Sequence, residues 1–265
     1  MNTRRKMAIA TWSAPREGNI HGKMTVDIDN ALAYIESLRA RSGARVTLTH
    51  LIGKAVGYAL AQVPHINSRI VFGHTVPHAS VDVSFLVAAA NGADLAKVKV
   101  TGINRKPLPQ VAAELREETS RIRSGRNPFN KSKPWLRFLP TWLLRPTLSL
   151  LGYLTGVLGI NLPALGVEAF PFGVCVITNI GSLGIEEGYV PATPFAHVPL
   201  YVAITTVKSR PVVRDGRVVI RRQLDLMATI DHRVVDGYQI GQLAKHVREA
   251  LDHPHMLESD ANPRK

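Results

Sequence analysis

The sequence reads Asp231-His232-Arg233-Val234-Val235-Asp236-Gly237 directly after an apolar run that ends at Ile230. Histidine is the side chain able to take and return a proton near neutral pH. Here it stands where a buried strand gives way to a helix. Asp236, four residues on, is placed either to lock the loop through an ion pair or to cap the closing helix, and Gly237 relieves crowding at that point. A histidine beside an aspartate at a helix start is also a common structural pair, so the heptapeptide alone leaves catalysis and structure both open.

Outward from this stretch the pattern is sheet on one side and helix on the other. Leu224–Ile230 reads as a strand, and Arg210–Arg221 as a hairpin turning at Asp215-Gly216. Leu200–Val207 and Phe172–Thr178 are near-continuous apolar runs, as strands covered on both faces would be. Beyond the heptapeptide, Ile240, Leu243, Ala244, Val247 and Leu251 fall on one side of a helix from Tyr238 to Leu251, and the tail 252–265 is polar. A second candidate for chemistry is Ile177-Thr178-Asn179-Ile180-Gly181-Ser182-Leu183-Gly184, a buried strand opening into a glycine-rich bend. Thr178 is placed to aim a hydroxyl at a developing oxyanion. The alternative is a turn in which Thr and Asn satisfy their own backbone. No phosphate-binding loop is written here, because the Gly-Lys-Ser/Thr ending is missing, and no Gly-x-Ser-x-Gly elbow occurs.

The first half reads as helices and one strand. Asp29 is a capping residue for a helix over Asn30–Ser42 that stops at Gly43. A second helix covers Leu48–Gln62 and is ended by Pro64, and a third covers Leu108–Ser124. Val81–Val87 alternates as a half-buried strand, followed by a turn signal at Asn91-Gly92. One α+β domain over 1–265 is the expectation.

Composition bounds the rest. With 265 residues, 45% hydrophobic and 20% charged, the chain is neither disordered nor a coiled coil. A lone cysteine, Cys175, excludes an internal disulfide framework and a cysteine-built zinc site, and the ten histidines show no close pair at helix-turn spacing with a carboxylate, so no metal is expected. Lys+Arg exceed Asp+Glu by 33 − 20 = 13, which favours anionic partners. Residues 101–150 carry ten Lys/Arg against three Glu, which is +7 of that excess. No helix-turn-helix, zinc-finger or aromatic stacking motif accompanies the charge, so nucleic acid is not the expected partner. The basic start lacks the long apolar core of a signal peptide, and a cytoplasmic location is expected.

Residues 128–167 break the pattern. Pro128, Pro134, Pro140, Pro146 and Pro163 punctuate a Leu- and Trp-rich segment, and Thr147–Val167 holds 21 residues without a charge. That length meets the test for a membrane span, but four glycines, Asn161 and Pro163 make a poor one. Burial against the fold or a neighbouring subunit, and an interfacial contact with a membrane surface, both remain open.

Taken together and in order, these segments resemble the catalytic domain of the dihydrolipoamide acyltransferases of 2-oxoacid dehydrogenase complexes, whose fold is shared with chloramphenicol acetyltransferase. Asp231–Gly237 resembles that family's signature. Val176-Ile-Thr-Asn-Ile-Gly181 is similar to its Thr-Ile-Ser-Asn-Leu-Gly stretch, Arg210-Pro-Val-Val with Asp215-Gly216 to the hairpin before the histidine, and Leu51–Asn67 to the helix ending in Pro-x-x-Asn. The likeness spans about 45–127 and 170–251.

The resemblance implies a chloramphenicol acetyltransferase-like mixed β-sheet flanked by helices, assembled as a homotrimer or larger homo-oligomer. It implies coenzyme A-dependent acyl transfer, with His232 as general base, Thr178 as oxyanion donor and Asp236 holding the loop. The site would lie between subunits, histidine from one and hydroxyl from the next, with acyl-CoA entering at the interface. The CoA phosphates are one outlet for the positive charge, although no particular Lys or Arg is singled out.

Three departures stand out. No lysine follows an aspartate, so no lipoyl attachment site is seen, nor a peripheral-subunit-binding segment. A lipoyl-domain protein in trans, or another nucleophilic acceptor, is therefore expected. Residues 128–167 look like an insertion without counterpart. The N-terminal likeness is loose, resting on His21 and Arg4-Arg5-Lys6, and leaves Asp236 without an identified partner. The rival expectation is a non-catalytic trimeric scaffold, or a membrane-docked assembly module, of the same fold.

Overall fold

The computed structural model describes residues 18–89, 94–124 and 139–259. Its sheet is organised by one long strand, β9 (Arg217–Asp231). Antiparallel to it run β1 (Asn19–Asp27) on one edge, and β7 (Leu200–Ile204) followed by β8 (Lys208–Arg214) on the other. Thr205 N–H still donates to the Asp225 carbonyl at 3.1 Å, whereas Lys208 already lies opposite Gln223. Two residues, Thr206 and Val207, thus face Leu224 alone, which is a β-bulge. Beyond β7 the sheet continues with β6 (Cys175–Asn179) and β4 (Val83–Ala89), both parallel, and ends at antiparallel β5 (Asp94–Val100), giving the order β1-β9-β7-β6-β4-β5. A separate hairpin pairs β2 (Ser68–Val71) with β3 (His74–Pro77).

Period-two burial explains the apolar runs of β6 and β7. Cys175, Ile177, Leu200, Val202 and Ile204 belong to the main core. Helices α1 (Asp29–Ser42), α2 (Leu48–Gln62), α3 (Leu108–Arg123) and α5 (Gly237–Asp252) contribute their apolar stripes to that same core. Val176 and Tyr201 enter a second cluster with Ala196 and Val198. Both kinds of position are buried, so neither strand shows a polar alternation.

Several expectations change in detail. Asp29 is not the cap of α1 but its first residue, and its carboxylate pairs with Arg222 at 2.6 Å and Arg221 at 3.3 Å. The hairpin strand and Leu224–Ile230 are one strand, β9, because Gln223 pairs both with Lys208 and with Asp27. Asp215 and Gly216 both have positive φ, as a type I′ hairpin turn requires. The polar tail is packed as far as a short helix, α6 (Met256–Ser259), which buries Leu257 and accepts a hydrogen bond from Tyr34 on Glu258 at 2.8 Å. The turn signal at Asn91-Gly92 lies outside the described residues.

Within the proline-punctuated segment, α4 (Thr141–Gly152) buries Leu144 and Leu148 against Leu139 and Phe195. A Cβ at Gly152 would meet the Phe195 carbonyl oxygen at 2.0 Å, so only glycine permits this approach. The uncharged run then passes through a π turn at Tyr153–Val157 and a 3-10 turn at Pro163–Leu165. Among the described residues no helix is long and apolar enough to cross a membrane.

At the bulge sits Asp225, whose side chain is 1% exposed. It accepts from Arg210 at 2.8 and 3.1 Å and from Thr25 Oγ1 at 2.6 Å, with Lys23 at 3.7 Å. The hydrogen bonds from Arg210 outweigh burial and hold its pKa at about 2, below the ordinary 3.8. A depressed carboxylate pKa gives stability that is complete above pH 4 and lost as pH falls towards 2. Replacing Asp225→Asn leaves Arg210 without its counter-charge and is expected to cost about 3 kcal/mol at pH 7. It should also flatten the loss of stability between pH 4 and 2. Urea unfolding at both pH values measures this, and an unchanged midpoint would remove the pair from the account of stability.

Candidate active site

The turn that leaves β9 is pinned by three backbone hydrogen bonds and by the Asp231 carboxylate. Asp231 N–H donates to Pro199 O at 2.9 Å, His232 N–H to Gly18 O at 3.0 Å, and Val234 N–H to Asp231 O at 3.1 Å. The Asp231 carboxylate receives Arg233 Nε and Nη2, the latter at 2.7 Å, and the Arg233 backbone N–H at 3.0 Å. His232 is therefore presented from a rigid corner, exposed in the single chain. Its Nδ1 lies 2.8 Å from the Val235 carbonyl. A carbonyl only accepts, so Nδ1 carries the proton and the lone pair of the neutral ring is on Nε2.

Asp236 caps α5. Its carboxylate accepts from Tyr238 N–H at 3.0 Å, while Gln239 reaches back to the Asp236 N–H at 3.1 Å. Of the two roles open to it, the helix cap is the one observed, and among the described residues it forms no ion pair. Through Val235, its neighbour, the cap anchors the carbonyl that orients the imidazole.

Thr178 occupies the end of β6. Asn179 fixes the bend that follows, accepting from Ser182 N–H at 3.0 Å and donating Nδ2–H to Thr49 Oγ1 at 2.9 Å. Gly181 lies against the bulge, where a Cβ would meet Thr205 at 2.4 Å. Asn179 thus satisfies its own turn, whereas the Thr178 hydroxyl has no hydrogen-bond partner among the described residues.

One chain does not bring Thr178 and His232 together. Thr178 is level with Ala203, and Ala203 with Met227. His232 lies five residues further along, at ~3.3 Å per residue, and two strand spacings of ~4.8 Å away, so the two are ~19 Å apart. They stand at opposite ends of the strands.

Beside the His232 turn opens a cleft of about 320 Å³, bounded by Arg69, Tyr153, Val157, His197, Asp231 and Arg233. Arg69 donates Nε–H to Val157 O at 2.9 Å and Nη1–H to Pro77 O at 3.3 Å, and its guanidinium lies 4.8 Å over the Phe170 ring. Burial, and next the charge of Arg69, push the His78 pKa down to about 4. No residue pattern signals Arg69, because its setting depends on the proline-punctuated segment folding against β2. Among the described residues no three His, Cys, Asp or Glu side chains converge as metal ligands.

A mixed sheet with helices on one face, a histidine on the turn after its longest strand and a hydroxyl at the end of β6, two strands away, are arranged as in an acyltransferase fold of the chloramphenicol acetyltransferase type. A chloramphenicol acetyltransferase structure superposes with a TM-score of 0.52 over 95% of both chains, at 11% identity. A probable dihydrolipoamide acetyltransferase from Listeria monocytogenes superposes at 0.70, covering 96% of this chain and 93% of that one at 18% identity. An Azotobacter vinelandii dihydrolipoamide acetyltransferase, studied for the role of a serine, a histidine and an asparagine in its catalytic mechanism, superposes at 0.67 over 96% and 88%, at 19% identity. The profile of the 2-oxoacid dehydrogenases acyltransferase (catalytic domain) matches residues 2–131 and 164–258, and the chain belongs to that family. Among curated proteins, the lipoamide acyltransferase component of the branched-chain alpha-keto acid dehydrogenase complex of Bacillus subtilis is 21% identical over 86% of this chain. The chain spans 45% of that relative's length.

Replacing Asp236→Ala removes the cap and loosens the carbonyl that holds His232 Nδ1. A fall of a few degrees in melting temperature is expected. The His232 Nδ1–H signal in proton NMR should shift or broaden with it. A sharp, unmoved signal would separate the cap from the imidazole.

Proposed function

We propose that the protein is a coenzyme A-dependent acyltransferase that moves an acyl group between a CoA thioester and a thiol of the dihydrolipoyl type, supplied by a lipoyl-domain protein in trans. His232 Nε2 takes the proton of the acceptor thiol as its sulfur attacks the thioester carbonyl. The carbonyl oxygen becomes an oxyanion, to which the Thr178 hydroxyl of a neighbouring subunit donates. Collapse of the intermediate breaks the bond to CoA sulfur, and the proton on Nε2 passes to the departing thiolate.

The observation that carries this reading is the 2.8 Å contact of His232 Nδ1 with the Val235 carbonyl, which leaves Nε2 as the basic atom. Spacing supports it. In the Azotobacter enzyme the histidine and asparagine studied stand four residues apart, as His232 and Asp236 do, and the serine lies about fifty residues upstream, as Thr178 does here. The separation of ~19 Å within one chain favours a site shared between subunits, hence a homotrimer or larger ring. The break in the family match between residues 131 and 164 supports reading 128–167 as an insertion in a single catalytic domain. A cytoplasmic location belongs to the same reading.

The test is thiol release from acetyl-CoA and longer acyl-CoAs with free dihydrolipoamide as acceptor. His232→Ala is expected to lower transfer by about 10²- to 10⁴-fold, and Thr178→Ala by about 10²- to 10³-fold. Co-expressing the two variants should restore about a quarter of the sites, half of the histidines meeting half of the hydroxyls across interfaces. Transfer untouched by His232→Ala would sink the base. Two inactive variants that do not complement would sink the shared site. A non-catalytic scaffold predicts no transfer with any donor.

A further inference from the structure

Backbone strain gathers around the cleft beside the His232 turn. Among the described residues, four that are not glycine have positive φ: Phe72, Phe170, His197 and Asp215. Asp215 is an ordinary residue for a hairpin turn, whereas Phe72, which holds the same place in the turn between β2 and β3, is not. Phe72 at 47° and His197 at 51° both line the cleft, and Phe170 at 48° lies under the Arg69 guanidinium. Bulky side chains adopt this conformation only where their surroundings impose it, and such positions cluster at binding sites. Another wall is the π turn Tyr153–Val157, a conformation also found most often at functional sites. Tyr153 and Val157 fall in the break of the family match between residues 131 and 164, so this wall is particular to the chain.

The lining identifies the chemistry of a ligand. Arg69 donates to the Val157 and Pro77 carbonyls and rests on the Phe170 ring. None of these partners is an anion, so the guanidinium is oriented while its charge stays uncompensated. Arg233, the other arginine of the cleft, is already matched by Asp231 at 2.7 Å. Tyr153 adds a hydroxyl that has no hydrogen-bond partner among the described residues. Ile70, Pro199 and Val234 make much of the remaining wall apolar. A carboxylate or phosphate on a short apolar stem fits such a site.

Under the acyl-transfer reading, on which this inference rests, two anions have to be considered: the phosphates of CoA and a carboxylate carried by the acyl group. The cleft is bounded by Asp231 and Arg233, the residues on either side of the histidine, so a group that fills it begins close to the reacting centre. The pantetheine arm holds the CoA phosphates far from the sulfur. A carboxylate a few bonds beyond the thioester has the shorter reach that a cleft of about 320 Å³ requires. We infer that the cleft receives the far end of the acyl group, and that Arg69 selects donors ending in a carboxylate, the CoA half-thioesters of short dicarboxylic acids.

The experiment compares glutaryl-CoA with butyryl-CoA as donors to free dihydrolipoamide. For the intact chain, kcat/KM is expected to favour glutaryl-CoA by about tenfold or more. Arg69→Gln should abolish that preference, and Arg69→Lys, which keeps the charge, should retain part of it. Tyr153→Phe, which removes a single unpartnered oxygen, should raise KM for glutaryl-CoA several-fold more than for butyryl-CoA. No preference in the intact chain overturns the inference. So does a loss shared equally by both donors in Arg69→Gln, which would assign the arginine to the CoA phosphates or to the fold. No transfer from either donor sinks the acyl-transfer reading instead, and calorimetric titration with glutarate then decides the cleft. Binding that Arg69→Gln removes keeps it as a carboxylate site, and absence of binding by the intact chain overturns it.

Discussion

The hydrogen-bond register across β6, β7 and β9 is the constraint from which the chemistry of this protein follows. Parallel pairing of β6 with β7 and antiparallel pairing of β7 with β9 place the end of β6 beside the middle of β9. Thr178 and His232 are thereby sent towards opposite ends of two strands that have β7 between them. A slip of one residue in either ladder would exchange the side chains of the main core with those of the second cluster, so the separation is as firmly set as the core. Assembly then becomes a chemical requirement of the proposed reaction rather than an ornament of the fold.

The same register creates the bulge between β7 and β8, and two features described above meet there. Asp225 gathers Arg210, Thr25 and Lys23 around a buried carboxylate, tying β1, β8 and β9 together. On the adjoining side Gly181 presses the bend after Thr178 onto Thr205. The Thr178 bend is thus braced from two sides, by this electrostatic knot a few residues away and by α2, whose Thr49 hydroxyl accepts from Asn179.

Much of this was legible in the amino-acid pattern, and the exceptions have physical causes. The helices over 30–42, 48–62, 108–124 and 238–251 were readable because their apolar residues recur on one face, and each is found within two residues of its expected ends. β6 and β7 were readable as buried runs. β1 was not: Ile20, Met24 and Val26 do alternate with His21, Lys23, Thr25 and Asp27, but Gly22 leaves a gap in the apolar face and the partner strand is two hundred residues away. Likewise Asp29 carries the chemistry of a cap, yet two arginines brought close by β9 compete for its carboxylate and win. At the candidate site His232 and Thr178 could be picked out by residue type and position. Their mutual distance could not, since it depends on strand order. Nor could Arg69, whose setting depends on how an irregular segment packs.

Tying His232 Nδ1 to a backbone carbonyl, and not to an acid, fixes the plane of the ring and its tautomer without bringing a second titrating group to the site. Under the proposed chemistry the proton moves between two thiols of similar acidity, the acceptor's and that of CoA. Because the atom that takes the proton from one thiol returns it to the other, one centre serves both directions of the proposed exchange, and the relative amounts of the two acyl carriers set which way it runs.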